Sequence, residues 1–208
     1  ELDFFLSKGI DLTKENLLVK PSCHFFMGGI KINHNCETNV KGLFACGETA
    51  GGVHGANRLA GNALAETLVF GEIAGKSAAD FALENNFDHV DTNAFISSLP
   101  KLSENSSEKE LIKDIRELMW IYLGIIRDEK GIKTAIKQLS EIKNNFEKIN
   151  FTQNYLEYFK LRNILFAAQA VALSALERTE SRGAHYRGDY PKEDNGWKKA
   201  IIVKKGFE

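Results

Sequence analysis

Apolar residues recur at helical spacing through the second half of the chain and at shorter, broken intervals through the first. Leu111, Ile115, Leu118, Met119, Tyr122, Ile125 and Ile126 form one face of a helix, opened by a capping box of Ser107 and Glu110. Ile132, Ile136, Leu139 and Phe146 mark a second amphipathic helix. A third, from about Thr152 to Glu180, is apolar or small nearly all round between Leu161 and Leu176, which places it between neighbours. The pattern predicts a three-helix bundle. Gly183 is positioned to end the third helix, and the tail beyond His185 is irregular up to Ala200–Val203, read as an edge strand.

The first half is punctuated differently. Leu2, Phe5 and Leu6 give a short helix stopped by Gly9, followed by a polar link from Thr13 to Asn16. Stretches 29–33 and 42–46 read as short strands around a polar turn at 33–39, which predicts a small sheet. Beyond a glycine-rich turn, Asn62 is placed to cap a helix running to about Glu84, with Gly71, Ala74, Gly75, Ala78 and Ala82 on one side. Glu66, Glu72, Lys76 and Asp80 exclude a membrane dimer motif for Gly71 and Gly75. Residues 85–105 are polar, contain Pro100, and read as a linker.

Composition narrows the function classes. With 208 residues and 43% hydrophobic content, a sizeable core is available. A net charge of −1 argues against binding driven by nucleic-acid phosphates, the basic pairs Lys198-Lys199 and Lys204-Lys205 being too short for it. No apolar run is read as reaching the roughly 20 residues a bilayer span needs, and no signal peptide opens the chain; a cytoplasmic location is expected. Cys23, Cys36 and Cys46 are odd in number and lack CxxC spacing, so they read as reduced thiols. His24, His54 and His185 lack metal-ligand spacing.

Candidate chemistry concentrates in residues 47–66, where five glycines, His54, Arg58 and a helix start share one turn. Glycines let backbone approach a ligand closely, and helix-opening amides carry partial positive charge toward it. That is how a cofactor site is built. Glu48 follows a strand end and suits hydroxyl groups of a ribityl or ribose chain, while the N–H groups of Asn62, Ala63 and Leu64 are placed to face developing negative charge. His54 reads as bracing for the loop. Arg178, Arg182, His185 and Arg187 read as a structural cluster at a helix C-terminus, pairing with Glu177, Glu180 or Asp189.

Three stretches carry a family resemblance: Pro21-Ser22-Cys23-His24-Phe25-Phe26-Met27-Gly28-Gly29, the glycine-rich turn with His54-Gly55-Ala56-Asn57-Arg58, and Arg182-Gly183-Ala184-His185-Tyr186-Arg187-Gly188-Asp189. Together they resemble the C-terminal part of a fumarate reductase or succinate dehydrogenase flavoprotein. The fold class this implies is α+β: the C-terminal segment of a Rossmann-like FAD-binding domain over residues 1–86, with a capping-domain remnant at about 1–20, then a helical bundle with a docking tail over 104–208. It implies that His24 and Arg58 bind a carboxylate of a C4-dicarboxylate, fumarate or succinate, and that Glu48, Asn62, Ala63 and Leu64 contact FAD. Many relatives carry serine where this chain has Ala63, which removes a hydroxyl contact and keeps the backbone donor.

No GxGxxG turn follows a strand, so the cradle for the FAD pyrophosphate is expected in a missing N-terminal region. The family's proton-donating arginine is expected there too; Arg116, Arg127 and Arg162 are read as bundle residues. The fragment alone is expected to be inactive and not to retain FAD. The implied reaction is hydride transfer between flavin N5 and a dicarboxylate carbon. L-aspartate oxidase is the sister reading, but Gly51-Gly52-Val53 and Gly61-Asn62-Ala63-Leu64 stand closer to the fumarate reductases. A third reading is a catalytically silent domain docking an iron–sulfur partner, with membrane association through such partners.

Overall fold

The computed structural model describes residues 2–86, 91–99, 108–148 and 155–204. Their order is α1 (Leu2–Ser7), β1 (Ile30–Lys31), β2 (Ala50–Gly51), α2 (Asn62–Glu84), α3 (Thr92–Ser97), α4 (Glu108–Leu123), α5 (Glu129–Lys148) and α6 (Tyr155–Glu177), with 3₁₀ turns at Gly47–Thr49 and Asn195–Trp197.

The helical half follows its periodicity. α4, α5 and α6 pack pairwise around a core that includes Ile112, Ile115, Leu118, Ile132, Leu139, Leu161, Leu165 and Ala172. Ile125 and Ile126 are exposed instead, because α4 ends at Leu123 and the chain turns there. The α6 helix is long and apolar enough, by length and composition, to cross a membrane. This corrects the expectation that no run reaches that length. Part of that apolar stretch, 28% of it, is buried as a face against α4 and α5, and Glu157, Lys160 and Arg162 lie in its first two turns. The face is narrower than expected, since Phe166 remains exposed. The capping box at Ser107 lies outside the described residues.

Gly183 does not end α6; the helix stops at Glu177, and its last carbonyls are met by a side chain from the tail. Arg187, 1% exposed, donates from Nη1 to the carbonyls of Ala175, Leu176 and Arg178. Its Nε and Nη2 grip both oxygens of Asp189 at 2.7 Å, and Asp189 accepts the N–H of Glu129 that opens α5. One guanidinium thus ties the end of one helix to the start of another. Glu180, fully buried, is held by a two-point grip from Arg182, by Arg178, and by the backbone N–H of Asp194. No strand forms at 200–203; Arg178 instead binds the carbonyls of Trp197 and Lys199, and this side-chain anchoring takes the place of a ladder.

These groups give the fold an acid sensitivity with a definite sign. His185 Nδ1 accepts from Arg127, so its N–H sits on Nε2 and reaches the Arg178 carbonyl; burial, then the neighbouring Arg127 charge, pulls its pKa from 6.5 to about 4. Hydrogen bonds from Arg182 hold Glu180 at about 2, and those from Arg187 hold Asp189 at about 2. All three folded values lie below the ordinary ones, so their stabilisation is whole above the unfolded pKa and lost as pH falls through the folded one. Melting temperature is expected to fall first between pH 6.5 and 4 and again from 4.5 toward 2. His185→Gln should flatten the first leg and Glu180→Gln part of the second, read by calorimetry across pH.

In the first half, the small sheet is two residues deep: β1 and β2 pair in parallel with Ile30 opposite Ala50. Residues 42–46 contribute a single antiparallel bridge, Glu37 to Phe44, because the tight turn Leu43 N–H to Val40 carbonyl leaves no length for a ladder. Residues 85–105, read as linker, contain α3, capped by the Asp91 side chain. The expected small-residue face of α2 buries only Ala74 among those five residues, while Phe81 packs edge-on against Phe44 and the Cys36 thiol reaches the Phe70 carbonyl.

Candidate functional site

The site grows from two glycine pairs that interlock. A Cβ on Gly29 would lie 2.8 Å from the Ala50 carbonyl carbon, and one on Gly51 would lie 2.6 Å from the Gly29 nitrogen. Only bare backbone at Gly29 and Gly51 lets the two stretches come this close. The contact lays the extended stretch 22–27 beside the loop 52–61.

Side chains then fasten the two. Glu48 accepts the N–H of Phe26 at 2.8 Å, so one carboxylate oxygen serves the chain itself. The Arg58 guanidinium lies over the Phe25 ring, 4.4 Å from its centroid, and Nη1 donates to the Leu59 carbonyl at 3.0 Å. His24 is exposed and adjoins Phe25 in the chain. The Phe25-Phe26 segment therefore brings the neighbourhoods of His24, Glu48 and Arg58 together.

The α2 helix opens differently from expectation. Gly61, at φ +84°, is the cap, and Asn62 is the first helical residue with its N–H on the Leu59 carbonyl at 3.3 Å. A left-handed entry needs no side-chain cap, which is why Asn62 does not serve as one. Ala63 and Leu64 remain in the first turn, where backbone N–H groups lack partners within the helix.

Sequence reasoning misses Phe25 and Glu66. Glu66 reads in the sequence only as a charge on α2, yet its side chain is 2% exposed and stands 2.8 Å from His54 Nε2. The bracing role expected for His54 thus has a named partner. For Phe25, the one signal in the sequence is its place next to His24. Two buried polar atoms here, Arg58 Nε and Glu66 Oε1, have no protein partner among the described residues. Gly52, Gly55 and Gly61 have open space where a Cβ would stand. Of the two unmet polar atoms, the Arg58 Nε donor, beside an uncrowded glycine loop and a helix start, fits an anionic ligand, while Glu66 Oε1 can only accept a hydrogen bond.

The helical half reaches this loop. The Ala184 N–H donates to the Ala56 carbonyl, and Gly183, at φ +58°, presses on Ala56 so closely that a Cβ would overlap the Ala56 carbonyl. Arg127, a bundle residue by its place in the sequence, stands at the α4–α5 corner with Nε on the Leu123 and Gly124 carbonyls and Nη1 on His185. Burial lowers its pKa, opposed by Cys23 of the 22–27 stretch. Gly183→Ala is expected to lift the tail from the loop, lowering the melting temperature and exposing the 54–58 peptide to protease, a change limited proteolysis would read. Unaltered cleavage in that variant would contradict this docking.

Known proteins resemble both halves of the chain. Residues 112–207 match a family model described as the fumarate reductase flavoprotein C-terminus, and 1–64 match one described as an FAD binding domain. An uncharacterised FAD-dependent oxidoreductase of Methanocaldococcus jannaschii is 49% identical over 96% of this chain and 38% of its own length. The fumarate reductase flavoprotein of Haemophilus influenzae is 39% identical over 90% of this chain and 34% of its own length. Among solved structures, Mycobacterium smegmatis Sdh1 in complex with UQ1 superposes with a TM-score of 0.83 at 35% identity, covering 94% of this chain and 35% of that one. L-aspartate oxidases are also among the relatives. The chain thus spans between 34% and 38% of the length of the three proteins described.

Proposed function

Because the chain belongs to the fumarate reductase and succinate dehydrogenase flavoprotein family, we propose that it is the C-terminal part of an FAD-dependent oxidoreductase interconverting fumarate and succinate. In this reading, residues 1–86 complete a Rossmann-like FAD-binding domain and 104–208 form its helical domain. An iron–sulfur electron-transfer protein is its partner.

The observation that carries the reading is the Arg58 guanidinium, 4.4 Å from the centroid of Phe25, the residue after His24, with its Nε unpaired among the described residues. A planar fork binds a carboxylate at two points, and an imidazole adds one directed N–H. We assign Arg58 and His24 to one substrate carboxylate. Bound FAD supplies hydride exchange at its N5 with one carbon of the dicarboxylate. Glu48, through the oxygen not given to Phe26, suits a cofactor hydroxyl, and the first-turn amides of Ala63 and Leu64 suit negative charge on the ring system, with Asn62 opening that turn. The residues of this chain orient and polarise; the proton is left to a residue outside it.

Malonate tests the clamp without turnover, since its single methylene cannot become a double bond. Its binding to the complete flavoprotein, followed by flavin absorbance, is expected to weaken about tenfold or more in His24→Leu, as for loss of a hydrogen bond to a charged group. Equal affinity in parent and variant would remove His24 from the site.

A further inference from the structure

The buried pair His54–Glu66 has no part in the clamp as assigned above. We propose that Glu66 and His54 are positioning residues for Arg58, acting through the ring of Phe25. The inference rests on the reading of Arg58 as the carboxylate clamp.

A carboxylate this deep needs a donor, and His54 Nε2 at 2.8 Å supplies one; the side chains are 2% and 9% exposed. That bond fixes the imidazole plane. The ring then meets Phe25 edge to face, with centroids 5.4 Å apart at 77°. On Phe25 lies the Arg58 guanidinium, at 4.4 Å. Among the described residues, the other hold on Arg58 is the carbonyl of Leu59, its neighbour in the chain, which moves with it. The plane of the fork, on which two-point binding depends, is therefore referenced to Phe25, and through His54 and Glu66 to the second turn of α2. The same helix carries the amides assigned to the cofactor, so this relay holds substrate and cofactor contacts in one frame.

The expected signature is coupling. In the complete flavoprotein, Phe25→Leu and Glu66→Gln should each weaken malonate binding about tenfold, with KM for fumarate rising more than kcat falls. In an Arg58→Ala background the same changes should cost less than about twofold, because the residue they position is gone. Phe25→Leu keeps the test decisive if Glu66→Gln does not fold. If Arg58→Ala abolishes binding while Phe25→Leu leaves it within about twofold, or if the effects are additive in both backgrounds, the relay is packing alone and the inference falls. If Arg58→Ala itself leaves malonate affinity unchanged, the clamp reading fails first and takes this inference with it.

Discussion

Arg58→Ala is expected to lower kcat/KM for fumarate by about 10²–10³-fold in the complete flavoprotein. Two charge-assisted hydrogen bonds to one carboxylate would be lost together, each stronger than a neutral bond, and every tenfold corresponds to about 1.4 kcal/mol. The loss should exceed that of His24→Leu, which removes a single donor. Arg58→Lys should recover only a small part, since an ammonium group offers charge without the fork and a poorer fit on Phe25. Steady-state kinetics with a reduced dye reads all three. The melting temperature of Arg58→Ala should stay near the parent's, because the guanidinium lies on the ring surface and hydrogen-bonds the carbonyl of Leu59, its immediate neighbour in the chain.

Arg187→Met should give the largest stability loss, about 3–5 kcal/mol, the range for removing one partner of a buried ion pair. The methionine refills much of the stem volume, so the loss isolates the guanidinium. Three carbonyls at the end of α6 and the Asp189 carboxylate would be left without their donor, in a place where Arg187 is 1% exposed. For a chain of this size the shift in melting temperature is roughly 10 °C. Because Asp189 also caps the start of α5, hydrogen exchange should quicken at both helix ends. A change under about 2 °C would mean that solvent or neighbouring groups satisfy those carbonyls as well as Arg187 does.

What can be read from the sequence divides by distance along the chain. The long helices are legible because apolar periodicity is local and each helix carries its own record; α2 ends at Glu84, where the pattern stops. The strands are not, since a two-residue strand has no alternation to read, and β2 forms at Ala50–Gly51 within a stretch that reads as loop. Gly183 misleads for a physical reason: a glycine after a helix suggests a cap, yet its positive φ serves a close approach to Ala56, far away in sequence. The cap of α6 is a side chain ten residues beyond the helix: the sequence marks Arg187 as one of a basic cluster at that end, but not that it alone among them enters the core to meet the last carbonyls.

The site shows the same division. His24, Glu48, Arg58 and the first turn of α2 stand out as residue types in glycine-rich surroundings and through family resemblance. Phe25 and Glu66 do not, because their roles come from contacts that exist only after folding: 33 residues separate Phe25 from Arg58, and 12 separate His54 from Glu66. An acidic residue in the second turn of an amphipathic helix ordinarily faces water. Here the glycine-rich loop doubles back over α2 and buries it.

The central claim is most directly tested by turnover of the complete flavoprotein with two substrates side by side: fumarate with a reduced dye, and L-aspartate with an oxidising one. Fumarate reduction that far outpaces aspartate oxidation is the expected result, and it would support the fumarate–succinate reading over the aspartate one. Aspartate-dependent turnover without fumarate reduction would contradict it and move the protein to the sister oxidase.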